Sequence, residues 1–264
     1  FILPEAILNV KAHTPVRTAI MESNSIRYLN FLGNAFDKVQ CPCIILQLIH
    51  TGKPLSTVGM EVSDCSHCTT ILTYRKISAE YFSFHTTDAE YQLLEKIRHI
   101  PKTKFLAGNA DFALGIVTGN NKKYISSVKN KDNEVILKGS DICKYHTNPN
   151  SNYIVFNPQN FQQVAPIEMY RAPEKLLYRF ISSQLVFAYD DKQTLSLNSC
   201  NLVIPKLEGL HIKYILAILN SRVAQFIYKM EFHSVKVLRS HIENIPIPDV
   251  DADTQNIIIQ TVEP

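Results

Sequence analysis

Phe1-Ile2-Leu3-Pro4-Glu5-Ala6 reads as the end of a buried strand, and Cys43-Ile44-Ile45-Leu46-Gln47-Leu48-Ile49, set off by Pro42, as another. Between them, residues 14–23 carry the grammar of a helix. Thr14 can cap it, Pro15 suits the first helical position, and Val16, Ile20 and Met21 make an apolar stripe. Residues 26–32 form a further apolar run that ends at the turn pair Gly33-Asn34. Strand, helix, strand, turn, strand is the closing portion of a mixed α/β sheet. No Met stands in front of Phe1, so this portion is expected to continue a domain that begins upstream.

After residue 50 the composition changes. Residues 51–87 are Thr/Ser-rich and irregular, and 88–99 read as a short amphipathic helix with Tyr91, Leu94 and Ile97 on one face. A domain junction is expected within 85–104. It would separate residues 1–90, a three-stranded α/β remnant plus linker, from a second domain at 105–250, with 251–264 as a tail. The second domain is β-rich, with strands expected at 112–118, 134–137, 153–156, 185–189 and 202–204 between Gly and Asn turns. Residues 173–181 read as helical, with Leu176, Leu177 and Phe180 apolar. Residues 211–230 read as one long helix, its stripe running from Ile212 to Met230 opposite Lys213, Asn220, Arg222 and Lys229. Residues 242–248 read as extended, with Pro246 and Pro248.

The 264 residues are 45% apolar and 19% charged, the balance of a folded protein with one large or two ordinary cores. No apolar run approaches the roughly 18 residues that cross a bilayer, so no membrane partner is expected and the cytoplasm is the default address. Net charge is +3, and residues 105–250 hold 16 Lys/Arg against 12 Asp/Glu, a balance of +4. A mildly basic second domain suits a polyanion. The six cysteines include Cys41-Pro42-Cys43 and Cys65-Ser66-His67-Cys68, which could be drawn as a zinc site. Their spacing is not that of a ribbon, and we read them as reduced thiols with no metal. A small-molecule hydrolase using Asp190 or Asp191 with a His has no triad, phosphate loop or metal cluster behind it.

The order of the pieces is more specific than any one of them. FILPEAILN, a helix with Arg17, FLGNAF and CIILQL resemble the last strands of the γ-class adenine-specific DNA methyltransferases of type II restriction–modification systems. The remainder of the chain resembles their TaqI-like C-terminal specificity (target recognition) domain, in GIVTGNNKKYI (115–125), VILKGSDICKY (135–145), FISSQLVFAYDD (180–191), Leu219-Asn220-Ser221 and the closing Ile245-Pro246-Ile247-Pro248. The implied fold is an α/β sheet end followed by a mixed α/β, β-rich recognition domain with one long helix.

The resemblance also implies a division of labour. S-adenosylmethionine binding and the N-P-P-Y loop that holds a flipped adenine belong to the catalytic half. Here Asn148-Pro149 and Asn157-Pro158 are not followed by Pro-Tyr, so no catalytic residue and no cofactor are assigned to this stretch. The missing catalytic half and double-stranded DNA are the implied partners, and whether a nuclease is fused in front stays open. Phe36 matches the aromatic that stacks on the extruded base. Side chains offering paired donors and acceptors suit base edges. The candidate DNA contacts are therefore Asn120, Asn121, Lys122 and Lys123 after the first strand, Lys138 and Ser140 after the second, Lys192, Gln193 and Thr194 in the Asp190-Asp191 loop, and His233 and Lys236 after the long helix. Gly119 and Gly139 would let backbone approach closely. A scaffold domain that has lost DNA binding is the alternative from another class.

Overall fold

The protein is described by a computed structural model covering residues 1–37, 41–66, 68–232 and 236–262. It divides into two compact units, Phe1–Ile97 and Arg98–Pro264.

The first unit is built on one sheet. It comprises β1 (Ile2–Pro4), α1 (Thr14–Ser23), β2 (Asn24–Gly33), β3 (Cys43–His50), β4 (Glu61–Ser63), β5 (Thr69–Ile71) and α2 (Asp88–Arg98). The strand order is β1-β3-β2-β4-β5, with β2–β4 the parallel pair. The expected three strands are therefore five; β4 and β5, three residues each, are too short to show a period. Leu29, Ile44 and Leu46 of the central pair are buried against Ile20 of α1 and against Phe82 and Phe84. Thr14 does not cap α1 through its side chain; its hydroxyl accepts from Arg17 Nη2 at 3.1 Å.

The second unit has two four-stranded sheets and a helical layer. Its elements are β6 (Thr103–Lys104), β7 (Ala110–Ala113), α3 (Asn121–Tyr124), β8 (Ile125–Ser126), β9 (Glu134–Leu137), β10 (Tyr153–Ile154), α4 (Ile167–Tyr170), β11 (Lys175–Arg179), β12 (Phe187–Asp190), β13 (Leu195–Ser196), β14 (Cys200–Pro205), α5 (Ile212–Asn220), α6 (Arg222–Glu231), α7 (Arg239–Glu243), β15 (Ile247–Pro248) and α8 (Ala252–Val262). The larger sheet, β12-β11-β14-β7, is antiparallel throughout, and the smaller runs β13-β9-β10-β8.

The larger sheet is buried on both faces. Leu176, Tyr178, Phe187 and Val203 pack with Ile215, Leu219 and Tyr228 of α5 and α6. Leu177, Ala188, Cys200 and Leu202 face the other way, onto Ile136, Ile154 and Leu195 of the smaller sheet. This corrects the helix expected at 173–181. A strand apolar on both faces is a continuous apolar run, and periodicity cannot separate it from a short buried helix.

The long helix expected at 211–230 is two. Ser221 is extended (ψ 160°) and caps α6, its hydroxyl accepting from the Ala224 amide at 3.1 Å. Val223, placed in the core stripe, is exposed. Asn220, placed on the polar face, is buried. It donates from Nδ2 to Phe187 O at 2.9 Å and accepts from the Phe187 amide at 3.0 Å. Gln225 repeats the pattern on Leu185, at 2.8 and 3.0 Å. These two amide side chains give backbone-like partners to the chain entering edge strand β12, which is the physical reason for Asn at Leu219-Asn220-Ser221. Part of the extended stretch expected at 242–248 is α7, and most of the expected tail is α8, whose Ile259 joins the core.

Candidate nucleic-acid interface

In the smaller sheet β13 runs parallel to β9, and β10 is antiparallel to both β9 and β8. Strands β8, β9 and β13 therefore point the same way, and whatever leads into them gathers at one end of the sheet. α3 leads into β8, and residues 191–194 lead into β13. Asn120, Asn121, Lys122, Lys123, Lys192, Gln193 and Thr194 thus share one end. Lys138 and Ser140, leaving the far end of β9, occupy the other.

At the first end the chain is basic. Lys122, Lys123, Lys129 and Lys131 fall within ten residues without an acidic one, and all four are exposed. Asn120 caps α3, accepting from the Lys123 amide at 3.1 Å, and Asn121 Oδ1 accepts from Thr118 Oγ1 at 2.6 Å. The short helix is therefore pinned while its lysines project. Gly119 has φ +77°, the left-handed turn that starts it. Behind it runs an aromatic line. Lys123 Nζ lies 5.0 Å from the Tyr124 ring centroid, Tyr124 meets Phe161 edge-on at 5.5 Å, Phe161 lies 6.3 Å from Phe156, and the Arg171 guanidinium sits 5.5 Å over Phe156.

The loop ahead of β13 is tied at its base. Asp190 and Lys175 are cross-strand partners, their side chains 3% and 0% exposed, with Oδ2 and Nζ 2.5 Å apart. Burial pulls the Lys175 ammonium below its ordinary range, and the Asp190 carboxylate opposes that pull. Thr194 is absorbed by this arrangement: its hydroxyl donates to Asp190 Oδ1 at 2.5 Å and its amide to Oδ2 at 3.0 Å. Arg171 forks onto Glu134 at 2.6 and 2.8 Å, an interaction that raises its own pKa, and donates to Gln193 O at 2.9 Å. Lys192 and Gln193 are left exposed. Of this group, Arg171, Lys175, Tyr124, Phe156 and Phe161 were not among the residues singled out in the sequence.

The other end is built differently. Lys138 is half-buried, and its backbone amide donates to Asp141 Oδ2 at 2.8 Å. Asp141 is fully buried, accepts from Ser140 Oγ at 3.3 Å, and is also bonded by Asn150 Nδ2. Gly139 is needed for the protein's own packing, since a Cβ there would meet Ser199 O at 2.5 Å. The close approach at Gly139 is to its own chain. Lys236 is exposed and bridged to Ile181. His233 lies outside the described residues.

Phe36 belongs to the first unit, on the turn after β2, and its side chain is 56% exposed. The six cysteines are free thiols, and among the described residues no three His, Cys, Asp or Glu side chains converge as a metal site. Among the described residues no helix is long and apolar enough to cross a membrane.

Residues 134–247, within the second unit, match the family model of the TaqI-like C-terminal specificity domain. The type II methyltransferase M.VspI of Vibrio sp. (strain 343) is 27% identical over 146 residues, which are 54% of this chain and 35% of that protein. In fold the chain is similar to the type IIL restriction–modification enzyme MmeI, solved in complex with DNA, with a TM-score of 0.56 at 10% identity. That match covers 92% of this chain and 38% of the other. It is similar also to the protein of the DrdV–DNA complex, with a TM-score of 0.55 at 8% identity, covering 98% and 36%. The chain thus spans about a third of the length of these relatives.

Proposed function

We propose that the second unit is the DNA-sequence recognition module of a restriction–modification methyltransferase. It would lay the α3 end of the smaller sheet against double-stranded DNA. The observation that carries this reading is the gathering of two separate loops, with Lys122, Lys123, Lys192 and Gln193 exposed, at one end of a sheet that overlaps the specificity-domain match. Lysines supply the phosphate contacts that position a protein on a duplex, and Asn and Gln supply the paired donor and acceptor that distinguish bases.

Under this reading methyl transfer, with S-adenosylmethionine as donor and adenine as target, belongs to the remainder of a larger bacterial, cytoplasmic enzyme. Phe36 is the one residue here that would touch the extruded base. Stacking on its ring is worth about 1–3 kcal/mol, comparable with the cost of extrusion. The MmeI and DrdV structures, both with DNA, support the reading. Fluorescence anisotropy of labelled duplex against this chain, across a salt series, tests it. Dissociation constants of about 10⁻⁴–10⁻⁶ M, weakening steeply with salt as counterions are released, are expected. Absence of binding at low salt would favour a scaffold role instead.

A further inference from the structure

The loop between β12 and β13 is held more firmly than an exposed connection requires. From below, the buried Lys175–Asp190 pair fixes the last residue of β12, from which the loop leaves; Lys175 Nζ also donates to Tyr170 O at 2.8 Å. From its far end, Thr194 returns both its hydroxyl and its amide to the same carboxylate. From the side, Arg171 joins Gln193 O to Glu134. All these ties close around Gln193, which has φ +55°. That is left-handed backbone, where a side chain other than glycine is uncommon and strained. Glycine is the residue that meets such a connection without strain, and among the described residues Lys102 and Tyr145 are the other non-glycine residues in that region. This one keeps a long amide side chain, exposed, on a strained residue braced by two buried charges. Buried ion pairs seldom add net stability over apolar packing, and their best-attested use is to fix a particular arrangement.

We infer that Gln193 is a base-specifying residue of the DNA surface, and that Lys175, Asp190, Thr194 and Arg171 are positioning residues that fix the backbone from which its side chain projects. This rests on the recognition role proposed above. A glutamine amide offers one donor and one acceptor side by side, the pair that matches the major-groove edge of adenine. The preferred partner of Gln193 is therefore an A·T pair in the recognised site.

The test is selection from a randomised duplex library by the chain at low salt, followed by sequencing of the retained DNA. Gln193→Gly keeps the left-handed backbone and removes the amide. It should lower the preference for A·T at one position by about tenfold to a hundredfold, the effect of one bidentate contact, and leave the other positions intact. Thr194→Val should blur that same position. A purely structural role would weaken all positions alike. In the free chain the Thr194 amide should exchange slowly with solvent. Unchanged preferences in both variants, or an unprotected Thr194 amide, would overturn the inference while leaving the recognition role standing. A wild-type chain that retains no library DNA would overturn both.

Discussion

Arg17 in the first unit and Lys175 in the second are both completely buried, and the two are held in opposite ways. In the first, Arg17 donates to the carbonyls of Ile7, Val10, Ala79 and Glu80 at 2.6–2.9 Å and to Thr14 Oγ1. Its fork stitches the turns around α1 to residues 79–80, and among the described residues no carboxylate pairs with it. In the second, Lys175 meets a carboxylate that has two further duties at the start of an exposed loop. An arginine among carbonyls is a knot in the backbone: many weak partners, each replaceable, with a planar fork matched to several acceptors at once. A lysine paired with an aspartate is a single strong tie, and what it holds is the conformation of a loop. The first unit has a cation–carboxylate pair of its own, Arg75 with Asp88 at 2.8 Å, so the difference lies in what each tie holds: Arg17 joins backbone turns to one another, and Lys175 fixes the start of an exposed loop.

The contrast breaks first at Lys175. Lys175→Met leaves Asp190 buried without its partner and should destabilise the second unit by about 3–5 kcal/mol. Denaturant-dependent hydrogen exchange of β11 and β12 measures it. Adding Asp190→Asn should recover part of the loss, since no buried charge then remains. A double variant no better than the single one would mean that shape, not charge, is at stake.

A buried group kept neutral sharpens the picture. His241 of α7 is 8% exposed, stacks 4.2 Å from the Phe232 ring, and accepts from the Leu238 amide at 3.2 Å. Burial pushes its pKa down to about 4 from 6.5. Because the folded value lies below the unfolded one, the contribution is fully present above pH 6.5 and is lost as pH falls toward 4. Up to about 3 kcal/mol should disappear across that window. Urea titrations at pH 7 and pH 4.5 would show the change, and His241→Phe should flatten it.

Arg17 comes next. Arg17→Met orphans several carbonyls, some of which regain water, so a loss of about 2 kcal/mol in the first unit is expected. Arg17→Lys, with a compact ammonium in place of the fork, should restore only part of it. Full rescue by lysine would show that a positive charge, not the fork, is what these carbonyls require. The readout is hydrogen exchange of α1 and β2.

Much of the first unit was legible because its longest strands are apolar runs bounded by Pro42 and Gly33-Asn34. The second unit misled where burial is two-sided. Lys175-Leu176-Leu177-Tyr178 alternates between two cores, so hydrophobicity shows no period and the strand reads as a helix. Ser221 was legible only as a polar residue in an apolar stripe; its role as a cap depends on the backbone turning extended there. In the candidate site, Lys122-Lys123 and Lys192-Gln193 were visible as exposed polar turns. Arg171 and Lys175 were not, because Glu134 and Asp190 stand 37 and 15 residues away, the first met from the end of α4 and the second through strand register. Nothing in the sequence says that Lys138 and Lys123 lie at opposite ends of one sheet.

That separation is the claim to test. Salt-dependent anisotropy on duplex DNA should be compared for the wild-type chain, Lys122→Ala/Lys123→Ala, and Lys138→Ala. Each phosphate contact contributes about 0.9 to the slope of log affinity against log salt, so the α3 pair should lower the magnitude of the slope by roughly 2 and weaken binding to all sequences alike. Lys138→Ala should leave slope and affinity unchanged. An equal or larger effect from Lys138, with none from the α3 lysines, would contradict the placement of DNA at this end of the sheet.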